Sequence, residues 1–163
     1  MNRPCTGTVA ILGPLLACAA SLTGTESLAN TNQKFGNVGP FEIIRIYEGN
    51  DYTRCAASMG KGNGMLRISY TYDGKTIVSV PGTKKSDTLI MYMDPPGDVG
   101  YDLSFPAKSD GSRSWADIDT QQLKTVLRIK KVISVQIDGK KFAWNIGNTS
   151  LVDVLAKVKQ CVK

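Results

Sequence analysis

The chain has 163 residues, with 20 Lys and Arg against 14 Asp and Glu, a formal net charge of +6, four cysteines and no histidine. The missing histidine excludes every mechanism built on an imidazole base or an imidazole metal ligand. The positive balance permits contact with polyanions such as lipopolysaccharide, teichoic acid, nucleic acid or acidic host surfaces, and it equally serves solubility alone.

Residues 1–29 read as an export signal. Arg3 supplies a short positive region, and Thr8 to Ala20 is an uncharged apolar run. That run is too short to cross a hydrocarbon core as a helix, which takes about 20 apolar residues. No later segment is long and apolar enough to span a bilayer. The best cleavage site is Ser27-Leu28-Ala29 before Asn30, with small residues at both specificity positions. Two further processing sites compete: Ala17-Cys18-Ala19, and a loose lipobox, Leu15-Leu16-Ala17-Cys18, that would anchor the chain by a lipid on Cys18. Cleavage before Asn30 leaves roughly 130 residues, one ordinary domain. The expected address is the bacterial periplasm or the outside of the cell.

Cys5 and Cys18 fall inside the signal, so Cys55 and Cys161 are the cysteines of the mature chain. In an oxidising compartment such a pair is expected to form a disulfide. It would close a loop of about 105 residues, worth about 4.7 kcal/mol in the chain-entropy model.

Residues 30–40 are polar and glycine-containing and read as a flexible leader; a single β-rich domain is expected over 41–163. Phe41 to Tyr47 is β-branched and aromatic, a strand pattern. A Glu-Gly-Asn-Asp turn leads into Tyr52 to Met59, whose alternation puts Cys55 and Ala57 on an inward face. Gly60 to Gly64 is a loop. Leu66, Ile68, Tyr70 and Tyr72 alternate with polar residues up to Asp73-Gly74, a strong hairpin signal, and Lys75 to Val80 returns. Thr88 to Met93 and Tyr101 to Phe105 read as strands around Pro95-Pro96-Gly97. Ser109 to Ser114 reads as a polar loop, and Trp115 to Ile118 as a short edge strand.

The period then changes. Asp119 can cap a helix carrying Leu123, Val126 and Leu127 on one side. Ile133, Val135 and Ile137 lead to a second hairpin turn, Asp138-Gly139, answered by Phe142, Trp144 and Ile146. Asn148 or Thr149 caps a last helix, Ser150 to Val162, whose apolar stripe includes Leu151, Val154, Leu155 and Val158 and also carries Cys161. The expected fold is therefore mainly β (α+β). Antiparallel sheets would form a sandwich or partial barrel with one or two helices, the C-terminal helix being disulfide-linked to the sheet.

Local motifs for catalysis are weak. Ser58-Met59-Gly60-Lys61 matches the S-x-x-K spacing of penicillin-recognising enzymes, but the partner S-D-N and K-T-G elements are absent. Gly74-Lys75-Thr76 lacks the earlier glycine of a phosphate loop, Ser69 standing in its place. Asp94, Asp98 and Asp102 do not follow a calcium-loop pattern. No catalytic residue, metal site or cofactor is expected. Paired carboxylates for a hydrolase leave no local spacing to read, so that activity stands third among the readings.

The sharpest feature is a basic set, Lys124, Arg128, Lys130, Lys131, Lys140 and Lys141. A helix end and the next hairpin turn would bring several of these together as an anion or partner site, for a protein or a polyanionic envelope or host glycan; a solvated face is the plain alternative. No aromatic residues interleave them in the way single-stranded nucleic-acid sites need, so no nucleic acid is expected. Trp115 and Trp144 read as core or edge packing. The leading function is a non-enzymatic binding domain of the bacterial envelope, acting in host contact. The alternative is a periplasmic inhibitor of a protease or lysozyme, presenting Lys61 and Asn63 on the Gly60–Gly64 loop.

Three stretches carry a resemblance: Cys55 following the Phe41-Glu42-Ile43-Ile44 strand, the Val-x-Ile-Asp-Gly hairpin from Val135 to Gly139, and the closing Gly-Asn-Thr-Ser-Leu-Val-Asp-Val-Leu segment from Gly147 that ends at Cys161. With these the chain resembles small exported alphaproteobacterial proteins grouped with the invasion-associated locus B family. The resemblance implies a periplasmic or surface β-domain with a role in envelope or host contact.

Overall fold

The computed structural model describes residues 31–82, 88–92 and 102–163. The expected signal peptide, Cys18, Asp94 and Asp98 lie outside the described residues. Among those described, no helix is long and apolar enough to cross a membrane.

Two antiparallel sheets carry the fold. The larger contains β1 (Thr31–Val38), β2 (Phe41–Glu48), β3 (Asp51–Met59), β4 (Leu66–Thr71), β5 (Thr76–Pro81), β8 (Lys108–Ser109) and β9 (Arg113–Ile118), in the order β1-β2-β3-β4-β5-β9-β8. The smaller contains β6 (Thr88–Tyr92), β7 (Leu103–Pro106), β10 (Lys131–Ile137) and β11 (Lys140–Gly147), in the order β11-β10-β6-β7. Helix α1 (Thr120–Val126) joins β9 to β10, and α2 (Leu151–Val162) closes the chain. After β7 the backbone passes Ala107 and enters the larger sheet as β8, so one run of chain stitches the two layers together.

Strand alternation explains the layers. Ile43, Cys55, Ala57, Ile68, Val78 and Ala116 point to one face of the larger sheet, and Leu89, Phe105, Val135 and Ile146 come from the smaller. These join one core that includes Leu151, Val154, Val158 and Cys161 of α2. Helix α2 lies against β1 to β4. Each fully buried side chain of this kind contributes about 1.5–3 kcal/mol relative to exposure. Cys55 and Cys161 are bonded across 6.0 Å between Cα atoms, fixing the helix to β3.

Several expectations are borne out and several corrected. Both hairpin turns form: Thr71 and Lys75 bond each other across Asp73-Gly74, while Asp138 and Gly139 take the left-handed φ of 48° and 68° that a two-residue turn needs. The expected flexible leader is instead largely strand β1, paired along its length with β2, because Phe35 and Val38 pack on the core. Gly39 turns this hairpin at φ 53°; a Cβ there would run into the side chain of Thr149. Trp115 to Ile118 is strand as expected, and from Ala116 onward it has β5 as its single ladder partner among the described residues, an edge position. It belongs to β9, which begins at Arg113 and lies between β5 and β8, so the polar segment before it is a tight hairpin. The caps are Asp119 for α1, as expected, and Ser150 rather than Asn148 or Thr149 for α2.

Candidate functional site

The face of the larger sheet turned away from the core carries a cleft of about 300 Å³. It is built by register. Arg67 on β4 faces Ser58 on β3 and Ser79 on β5, Ser79 in turn faces Trp115 on β9, and Ser69 faces Ile77. With cross-strand neighbours about 5 Å apart, these side chains share one surface. Arg54 on β3 and Arg113 at the start of β9 complete a set of three guanidinium groups around it.

Each arginine is held differently. Arg113 donates from Nε to Ser79 Oγ at 2.7 Å and from Nη2 to the carbonyls of Met65 and Ser79 at 2.8 and 2.9 Å. Arg54 donates to Glu48 Oε1 at 3.0 Å. Among the described residues Arg67 reaches only the thioether of Met65, at 3.3 Å from Nε. Among the described residues neither Arg67 nor Arg113 has a carboxylate within ion-pair distance.

The electrostatics follow. Burial, reinforced by the charge of Arg67, pulls Arg113 down to about 10, with Asp110 opposing. Burial and the nearby Arg54 lower Arg67 in the same direction. Half-buried cations that repel one another gain from an arriving anion. Asp110, the only acid among the described residues that line the cleft, is already engaged: its Oδ1 accepts from the backbone of Arg113 and from the backbone and hydroxyl of Ser112. Those bonds, the Arg113 N–H first, hold its carboxyl below the usual range. Beside Arg67, the Ser58 hydroxyl is buried with no hydrogen-bond partner.

Sequence reasoning passed over this site. Arg54 and Arg67 were legible as outward residues flanking an inward Cys55 and Ile68, but nothing local says that their strands are neighbours in register. Arg113 stood in a segment read as a loop.

The basic set chosen from sequence is divided. Arg128, Lys130 and Lys131 gather beside Asn148 to Leu151 in an open groove of about 680 Å³ at the start of α2. Lys124 stands one turn back from Arg128 and is exposed. Lys140 and Lys141 sit at the opposite end of the β10–β11 hairpin, where Lys140 pairs with Ile137 while Lys131 pairs with Gly147. Seven residues of strand separate the two groups by about 20 Å. The expected single neighbourhood does not form, because a hairpin puts its turn far from the chain entering it. Lys141 instead lies over the ring of Tyr92, 4.2 Å from its centroid.

The Gly60–Gly64 loop is firmly placed. Its Gly64 carbonyl accepts from Trp144 Nε1 at 2.8 Å, and Gly64 N–H bonds Lys61 O at 3.0 Å. Lys61 is exposed, and the Asn63 side chain lies outside what is described. The S-x-x-K serine, Ser58, is buried in β3 with no base on its hydroxyl. Lys75, of the Gly-Lys-Thr triplet, pairs with Asp73 at 2.6 Å across the hairpin turn. Among the described residues, no three His, Cys, Asp or Glu side chains converge as metal ligands.

Compared with protein-family models, with curated proteins and with solved structures, the chain matches none.

Proposed function

We propose that this chain is an exported, non-enzymatic binding module of the bacterial envelope that captures an anionic partner, its principal contact being the Arg54–Arg67–Arg113 cleft. The observation that carries the reading is the half-buried Arg67, which among the described residues has no carboxylate partner and sits between two further guanidinium groups. Planar guanidinium groups bind carboxylate, sulfate and phosphate oxygens through paired N–H bonds. The disulfide, the export signal read from residues 1–29 and the locus B resemblance support an address outside the cytosol, in contact with envelope or host surfaces. The test is binding of the purified chain to sulfated or carboxylated polymer beads. Retention should fall with added salt and be lost in Arg67→Glu; retention unchanged in that variant refutes the assignment of the site.

A second reading, an inhibitor of a protease or lysozyme, is favoured by one feature. The Gly60–Gly64 loop is exposed yet pinned by Trp144, as a preorganised inhibitory loop must be. An inhibitor would fail on Lys61→Ala and be indifferent to Arg67→Glu.

A further inference from the structure

The two tryptophans have opposite roles in the fold. Trp144 is buried, its Nε1–H spent on Gly64 and its ring stacked on Phe142 at 6.0 Å. Trp115 stands half-buried on the outer sheet face within the arginine cleft. Among the described residues it stacks on no other ring, carries no cation over its face and gives its Nε1–H to no acceptor. A large aromatic surface left in this state beside unpaired cations is a platform for a ring that also bears a negative charge.

Resting on the anion-binding reading above, we infer that the cleft takes an acidic saccharide unit, a uronate or a sulfated sugar, stacked on Trp115 with its anionic group on Arg67. Three features select that class. The lining alternates hydroxyls with cations, Ser69 and Ser79 lying between the arginines and the indole, which suits a ligand rich in its own hydroxyl groups. Asp110 adds an acceptor whose Oδ2 has no protein partner among the described residues. A bare inorganic anion would be repelled by that oxygen, whereas a sugar hydroxyl donates to it. The volume of about 300 Å³ lies at the small end of ligand sites. It suits one substituted ring better than a nucleotide, which must lodge base, ribose and phosphate together.

Calorimetric titration of the full, disulfide-bonded chain separates the alternatives. The probes are an oligogalacturonate, a neutral galactose oligomer of equal length, sodium sulfate and adenosine monophosphate. The uronate oligomer should bind at least tenfold more tightly than each of the other three. Trp115→Ala should weaken it about tenfold, Trp115→Phe less than threefold, and Arg67→Gln about tenfold or more. Emission from Trp144 and the melting temperature report that each variant is folded. Equal binding by Trp115→Ala and the parent overturns the stacking while leaving the anion site intact, and tighter binding of the nucleotide overturns the saccharide class. Heats from no probe, with Arg67→Gln indistinguishable from the parent, overturn both this inference and the reading it rests on.

Discussion

Replacing Cys55 and Cys161 together by alanine deletes the covalent link while leaving most of the α2 interface in place, since Leu151, Val154 and Val158 still face the core. The bridged residues are 106 apart in sequence. Loop-closure entropy at that length gives a ceiling of about 4.7 kcal/mol, and losses on removing native bridges run about 2–5 kcal/mol. For a domain of roughly 130 residues, the unfolding entropy of about 2.1 cal/mol/K per residue makes each kcal/mol worth about 4 °C. The double variant should therefore melt about 8–18 °C below the parent by scanning calorimetry at one scan rate. Hydrogen exchange then identifies the mechanism. If the link acts through the unfolded chain, the slowest amides of β3, β4 and β10 lose protection equally. If it acts as a local clamp, α2 alone loses it. A melting change under about 3 °C, or two thiols titrating in the denatured parent protein, refutes the argument.

Gly39→Ala should cost more than the about 1–2 kcal/mol of a left-handed alanine, because its Cβ would also strike Thr149; a urea midpoint within error of the parent refutes the packing of that turn. Sulfate, added at constant ionic strength against chloride, should raise the melting temperature of the parent more than that of Arg67→Gln, the excess reporting weak occupancy of the site over sulfate's general stabilising effect. Arg113 is charged below its depressed value of about 10 and loses its proton above it, so anion affinity should be level through neutral pH and decline above about 10; affinity that rises there contradicts the site. The free protein runs the opposite way on this group, since stability tied to a lowered cation is present above its higher unfolded value and lost as pH falls through about 10. Charge reversal at Lys130 and Lys131 and at Lys140 and Lys141 should have additive effects on polyanion retention, because the pairs stand at opposite ends of one hairpin; strong coupling refutes that separation.

The elements readable from sequence were those whose signal is local. Asp73-Gly74 and Asp138-Gly139 specify their own turns, and the stripe from Leu151 to Cys161 announces a buried helix face whatever it packs against. Strand β1 was hidden because an edge strand has one neighbour and a sparse apolar face, here Phe35 and Val38 among Asn, Gln, Lys and Gly. The start of strand β9 was missed because Arg113 and Ser114 are polar and their neighbour β8 is only two residues long. The cleft was the least legible. Its arginines come from three strands, and only the register of β3, β4, β5 and β9 puts Arg54, Arg67 and Arg113 around Trp115. Alternation predicts which way each side chain points, but not which others it meets.

The helix that covers β1 to β4 is translated after every strand it covers. Until Leu151 to Val162 have been made, Ile43, Ala57 and Ile68 lack the helix that packs over their strands, so the early strands are synthesised with part of their greasy side uncovered. A chain built in this order stays pliable until that helix is in place, the condition in which a polypeptide can still be threaded through a narrow pore or held by a chaperone.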